Sequence, residues 1–153
     1  MTRTFPLNLY DRFAALAGHA VPVGIGLLFC RVAVGAVFWR SGLTKVDDNF
    51  MVTDATVSLF ETSYHMPGWL AYPGTYAELL FPLMLFAGLG TRLGALGLIG
   101  QTLVIQLFVY PDFFWQEYAL WYAMLLMPLT MGSGVLGLDR WTIERPRPQS
   151  AMA

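Results

Sequence analysis

Four apolar stretches set the rhythm of the chain. Residues 21–39 are interrupted by one charge, Arg31, and residues 76–89 by one, Glu78. Residues 93–110 carry Gln101 and Gln106 as their strongest polar groups, and residues 118–138 hold no charge. A membrane helix needs about 20 predominantly apolar residues. The pattern therefore predicts an all-α integral membrane four-helix bundle, one domain over residues 1–153, with spans near 21–39, 76–89, 93–110 and 118–138. The second stretch is short. It can extend backward through Trp69, Leu70 and Tyr72, with a kink expected at Pro73-Gly74. The first stretch is longer than a signal h-region, contains Arg31 and has no A-x-A site after it, so it is read as retained.

The connections carry their own signals. Thr53 is placed as an N-cap, with Asp54 in a first turn and Val57, Phe60 and Tyr64 at helical spacing. This predicts a short amphipathic helix in the first outer loop, lying on the membrane surface; the alternative is an ordered loop covering the mouth of the bundle. Gly90-Thr91-Arg92 is a tight turn that makes a hairpin of spans two and three. Pro111 opens the turn before span four. The tail, residues 142–153, is expected to be mobile.

Composition and charge narrow the class. The 153 residues are 56% hydrophobic and 12% charged, about half the charge of a soluble domain, with a mean hydropathy of +0.54. Disorder is excluded by the apolar content, and a disulfide scaffold by the single cysteine, Cys30. Net charge −1 without a basic stripe excludes a nucleic-acid partner. Arg3, Arg12, Arg92, Arg140, Arg145 and Arg147 fall on one side of a four-span chain; Arg40 and Lys45 fall on the other with most of the acids. Basic loops stay cytoplasmic, so both termini are expected inside. Trp39, Trp69, Tyr72, Tyr76, Tyr110, Trp115 and Trp121 fit an outer aromatic belt, and Trp141 an inner one.

An ionisable side chain in a span is costly and faces the bundle interior. Arg31, Gly35, Phe38, Gly42 and Lys45 are spaced by four, three, four and three, so they form one stripe, and the two glycines let another helix approach. Glu78 lies near the outer end of the second span, and Arg31 deeper, near mid-membrane. The long guanidinium would allow an Arg31–Glu78 contact, but depth argues against it and leaves Lys45 or Arg40 as partners of Glu78. Thr102 and Gln106 share a face, with Gln101 on another. Arg31, Lys45, Glu78 and Gln106 are the candidates for a polar, cofactor-binding pocket, with Glu78 and Arg31 the candidates for catalysis. The same charges would equally serve to fix helix register.

No metal site is expected. His19 and His65 lie on opposite sides, which also argues against haem held between two histidines. Met124, Met127 and Met131 form a stripe, read as core filler rather than a copper site. Cys30 is read as a structural thiol. C-x-x-C, G-x-S-x-G and phosphate-binding loops are absent from the sequence.

The order Arg31-x3-Gly35-x2-Phe38-x3-Gly42-x2-Lys45, a second helix with Glu78, Gly88-Leu89-Gly90-Thr91-Arg92-Leu93-Gly94-Ala95-Leu96, and Gly132-Ser133-Gly134-Val135-Leu136-Gly137-Leu138-Asp139 resembles the DoxX family over about residues 25–141. Leu59-Phe60, Tyr64, Pro67 and residues 104–111 resemble a branch associated with metal-stress peptides. That branch carries a histidine shortly after the position of Trp115, where this chain has Tyr118. The resemblance implies a multi-pass protein of the bacterial cytoplasmic membrane, and adds Asp139 to the polar candidates, with capping of the chain exit as its plainer role. It implies an accessory or anchor component in redox, oxidative or metal stress, working with protein partners or as a homo-oligomer in the lipid bilayer. The alternative is a quinone-linked oxidoreductase subunit, with Glu78 taking a proton, Arg31 or Lys45 stabilising the anion and Phe38, Trp39 and Tyr76 lining the ring. A small transporter or metal-handling protein is the third reading.

Overall fold

The computed structural model describes residues 20–142. Among them the fold is all-helical, with one isolated β-bridge, Val46–Val52, and no strand. The helices are α1 (Ala20–Leu43), α2 (Asp54–Thr62), α3 (Ala71–Ala87), α4 (Thr91–Phe108), α5 (Ala119–Met131) and the single turn α6 (Asp139–Thr142). The four long ones close a ring: α1 packs on α3, α3 on α4, α4 on α5, and α5 on α1. The tail beyond residue 142, His19 and the basic residues Arg3, Arg12, Arg145 and Arg147 lie outside the described residues.

Helix boundaries differ from the sequence pattern for identifiable reasons. α1 runs on to Leu43, past Arg40, a cation favoured at a helix C-terminus. α3 begins at Ala71 and takes in Pro73, because in the first turn a missing N–H costs no helical bond. α5 stops at Met131, well short of residue 138: Gly132 and Gly134 adopt φ of 74° and 69°, outside the right-handed helical region. A 3₁₀ turn (Pro111–Phe113) and a π-helical turn (Phe114–Tyr118) lead into α5 instead. The α3–α4 hairpin forms as expected: Gly88, in the left-handed conformation, ends α3, and α4 starts three residues later.

Val34, Phe38, Leu85, Ala95, Leu98 and Leu125 make the core, with Phe38 edge-on to Trp121 at 5.3 Å. The predicted stripe on α1 faces inward, since Arg31, Gly35, Phe38 and Gly42 are all buried. Gly35 and Gly42 let α1 and α3 meet closely; a Cβ on Gly35 would lie 2.6 Å from the Phe86 ring, and one on Gly42 2.8 Å from Leu79 and 3.2 Å from the Glu78 Cβ. The methionine stripe is not core filler throughout: Met124 packs on the core, but Met127 and Met131 are exposed.

Large apolar side chains also cover the outside. Phe29 on α1 is 71% exposed, Leu80 on α3 56%, Leu93 on α4 61% and Leu120 on α5 60%. Of the long helices, α1 over Val23–Leu43 and α4 over Thr91–Phe108 are long and apolar enough to cross a membrane. α3 and α5 contain 17 and 13 residues, about 26 and 20 Å at ~1.5 Å per residue.

Candidate ligand cavity

Lys45 stands two residues beyond α1. The chain turns tightly there, with the Lys45 N–H donating to the Gly42 carbonyl, and the side chain reaches α3. Its ammonium donates to both Glu78 carboxylate oxygens, at 2.6 and 2.5 Å, and to Ser41 Oγ at 3.3 Å. The Glu78 side chain is 2% exposed and that of Lys45 12%. Gln101 on α4 donates its amide to Glu78 Oε1 at 3.3 Å. Lys45 is thus the partner of Glu78, while Arg40 is exposed and Arg31 lies elsewhere.

The ion pair borders a cavity of about 190 Å³. Phe60, Tyr64 and Met66 wall it from the α2 side, Val104 and Ile105 from α4, and Tyr110, Tyr118 and Trp121 from the turns before α5 and α5 itself. The predicted helix α2 covers this mouth. Thr53 caps it, accepting from the Thr56 N–H, and the helix is tied to α1 because Thr56 Oγ1 and the Thr53 N–H both donate to the Lys45 carbonyl, at 2.9 and 3.2 Å. Phe60 is buried beneath it. Burial pushes the Tyr64 phenol above its ordinary pKa, and Tyr110 and the Glu78 charge add to this.

The aromatic residues assigned to the ring from sequence lie elsewhere. Phe38 is core, and Trp39 and Tyr76 line an apolar groove on the outer face of α1 and α3. A side chain four residues from Thr102 shares its face, which puts Gln106 away from Glu78: it accepts from the Tyr122 hydroxyl at 3.1 Å and does not line the cavity. Sequence reasoning missed Gln101 as the α4 contributor. The signal was present, because Gly94 and Gly97 pack on Phe81 of α3, and Gln101 lies one turn further along that small-residue face.

Arg31 belongs to a second polar centre, at the opposite end. It is fully buried, and its three guanidinium nitrogens make no hydrogen bond. Nη1 fits against Gly88 and Gly137, where a Cβ on Gly88 would collide with it. Asp139 is the opposing charge that acts on it. The Asp139 carboxylate accepts from the Gly90 and Thr91 N–H groups at 2.6 and 2.9 Å, capping α4, whose own N-cap is a glycine with no side chain to offer. The structure therefore divides the sequence-derived pocket in two: Lys45 and Glu78 with Gln101 at the α2 end, and Arg31 with Asp139 at the other.

These features define a small helical protein with an apolar exterior and a buried, aromatic-walled ion pair at one end. The DoxX family matches residues 26–111, and the chain belongs to that family. A relative from Bacillus subtilis (strain 168), named "Putative oxidoreductase CatD", is 36% identical over 87 residues, which cover 54% of this chain and 61% of the relative. The chain thus spans somewhat less than two thirds of that relative's length. No solved structure matches the chain. Family and apolar helices together support a membrane protein.

Proposed function

We propose that this chain is a multi-pass protein of the bacterial cytoplasmic membrane, a four-helix bundle with both termini inside, and that its cavity holds the ring of a quinone or a similar flat redox headgroup within a larger redox system. The observation that carries this reading is the ion pair. Glu78 and Lys45 are withdrawn from water, yet border a cavity with aromatic walls, which is the setting of a binding site: mostly apolar, with few convergent polar groups. The exposed apolar side chains on all four long helices support the membrane setting, since soluble monomers rarely expose large apolar patches. The relative's name supports redox chemistry.

In this reading Glu78 accepts the proton of a quinol hydroxyl, as a carboxylate base held within hydrogen-bond reach. The Lys45 ammonium would stabilise negative charge on a bound ring oxygen, and the Gln101 amide would hold that oxygen in place; the redox chemistry itself would be supplied by the ring. The second reading, an accessory or anchor in redox, oxidative or metal stress, is favoured by the closure of the ion pair on itself, which suits a device that fixes helix register.

Quinone in lipid extracts of the purified protein separates the two. Stoichiometric quinone, lost in Glu78→Ala, is the expected result. Background quinone in both proteins sinks the ligand reading and leaves the accessory role.

A further inference from the structure

Lys45 faces two spaces. Besides the aromatic cavity, it lines a separate cleft of about 320 Å³ between the end of α1 and α2, bordered by Thr44, Thr53, Ala55 and Thr56. Ser41, Lys45 and Tyr64 border both spaces. The cleft is rich in hydroxyl groups and flanked by the exposed Thr44 and Ala55, whereas Glu78 lines only the cavity. Lys45, whose ammonium contacts Glu78 and Ser41, therefore stands between a nearly dry carboxylate and a polar recess reaching the surface that Ser41 also borders.

We propose that this cleft is an aqueous port, and that Lys45 relays protons between Glu78 and water on the α2 side of the membrane. A proton that arrives on a Glu78 oxygen is matched by one leaving the Lys45 ammonium to water in the cleft. Transfer of the carboxyl proton to the neutral amine then restores the ion pair, so one proton enters and one leaves. Lysine can do this where arginine, which does not deprotonate in proteins, cannot. The titratable groups facing this centre are Glu78 from α3, Tyr64 beyond α2, and Tyr110, Glu117 and Tyr118 from the segment before α5. The inference deepens the ligand reading of the same site, but its test needs no ligand.

Lys45 is the single lysine of the chain, so amine acylation reports on it alone once the amino terminus is separated by peptide mapping. The full-length protein is sealed into oriented vesicles with the α2 side outward, and a membrane-impermeant acylating ester is added outside. Inner and outer pH are varied independently, with a free lysine derivative correcting for reagent chemistry. The Lys45 rate is expected to follow outer pH and to ignore inner pH. Filling the cleft with Ala55→Trp, or from its other lip with Thr44→Trp, slows acylation at least tenfold in a protein with unchanged helix content. Acylation that follows inner pH, that occurs only after denaturation, or that is indifferent to both folded tryptophan variants overturns the port. None of these outcomes depends on quinone binding, so the port and the ligand reading fail separately.

Discussion

Removing Lys45 leaves a carboxylate with 2% side-chain exposure beside an aromatic cavity. Breaking one side of a buried pair costs more than the pair itself contributes, because an uncompensated charge remains. Lys45→Met is expected to lower stability by about 3 kcal/mol, read from denaturant or thermal unfolding in detergent. The double variant Lys45→Met with Glu78→Leu is expected to recover most of that loss, and a double-mutant cycle measures the coupling. Tyr64 gives a pH-dependent counterpart. Its phenol is raised, so above the ordinary tyrosine pKa of about 10 the unfolded chain releases a proton that the folded chain keeps. Stability contributed by the neutral phenol is complete below that pH and is lost as pH rises towards the folded pKa. Tyr64→Phe should therefore flatten the alkaline fall in unfolding temperature relative to the parent protein.

At the scale of the element, the N-terminus of α4 depends on a side chain 48 residues away. Asp139→Ala is expected to cost about 1–2 kcal/mol, the range of a lost N-cap, with added loss from the stranded Arg31 charge. Hydrogen exchange at the Gly90 and Thr91 amides should rise first, while α1 amides beyond Phe38 change little. Much of this level was legible in the sequence. The Arg31–Lys45 stripe followed from helical spacing, Thr53 from its position before an amphipathic run, and the α3–α4 turn from its glycines. Relative depth was legible in part: Arg31 near mid-membrane and Glu78 near the outer end argued against their contact and left Lys45 or Arg40. Periodicity does not tell which of those two reaches across, and the tight turn after α1 brings Lys45 to Glu78. The early end of α5 was hidden because glycine is common in membrane helices, so Gly132 and Gly134 did not announce their positive φ.

For the whole molecule, the proposed four-crossing arrangement would put residues 47–67 outside. Single cysteines in that segment, on a Cys30→Ser background, are expected to react with an impermeant maleimide in intact cells, and cysteines near Arg92 only after permeabilisation. Labelling of both in intact cells would remove the four-crossing topology. The packing of α1 on α3, the most extensive in the ring, is sensitive at one glycine. Gly42→Ala places a methyl 2.8 Å from Leu79, forcing α1 and α3 apart beside the ion pair, for a loss of about 1–3 kcal/mol.

The cap on α4 has a further consequence in time. A ribosome delivers α1, α3 and α4 well before it delivers Asp139, and domains of this kind assemble as the chain emerges. Until residue 139 arrives, two amide groups at the start of α4 lack their acceptor and the Arg31 guanidinium lacks its counter-charge. The nascent protein therefore completes its α3–α4 hairpin last, and a message cut short before Asp139 yields a chain with all its long helices and an unlocked end for quality control to find.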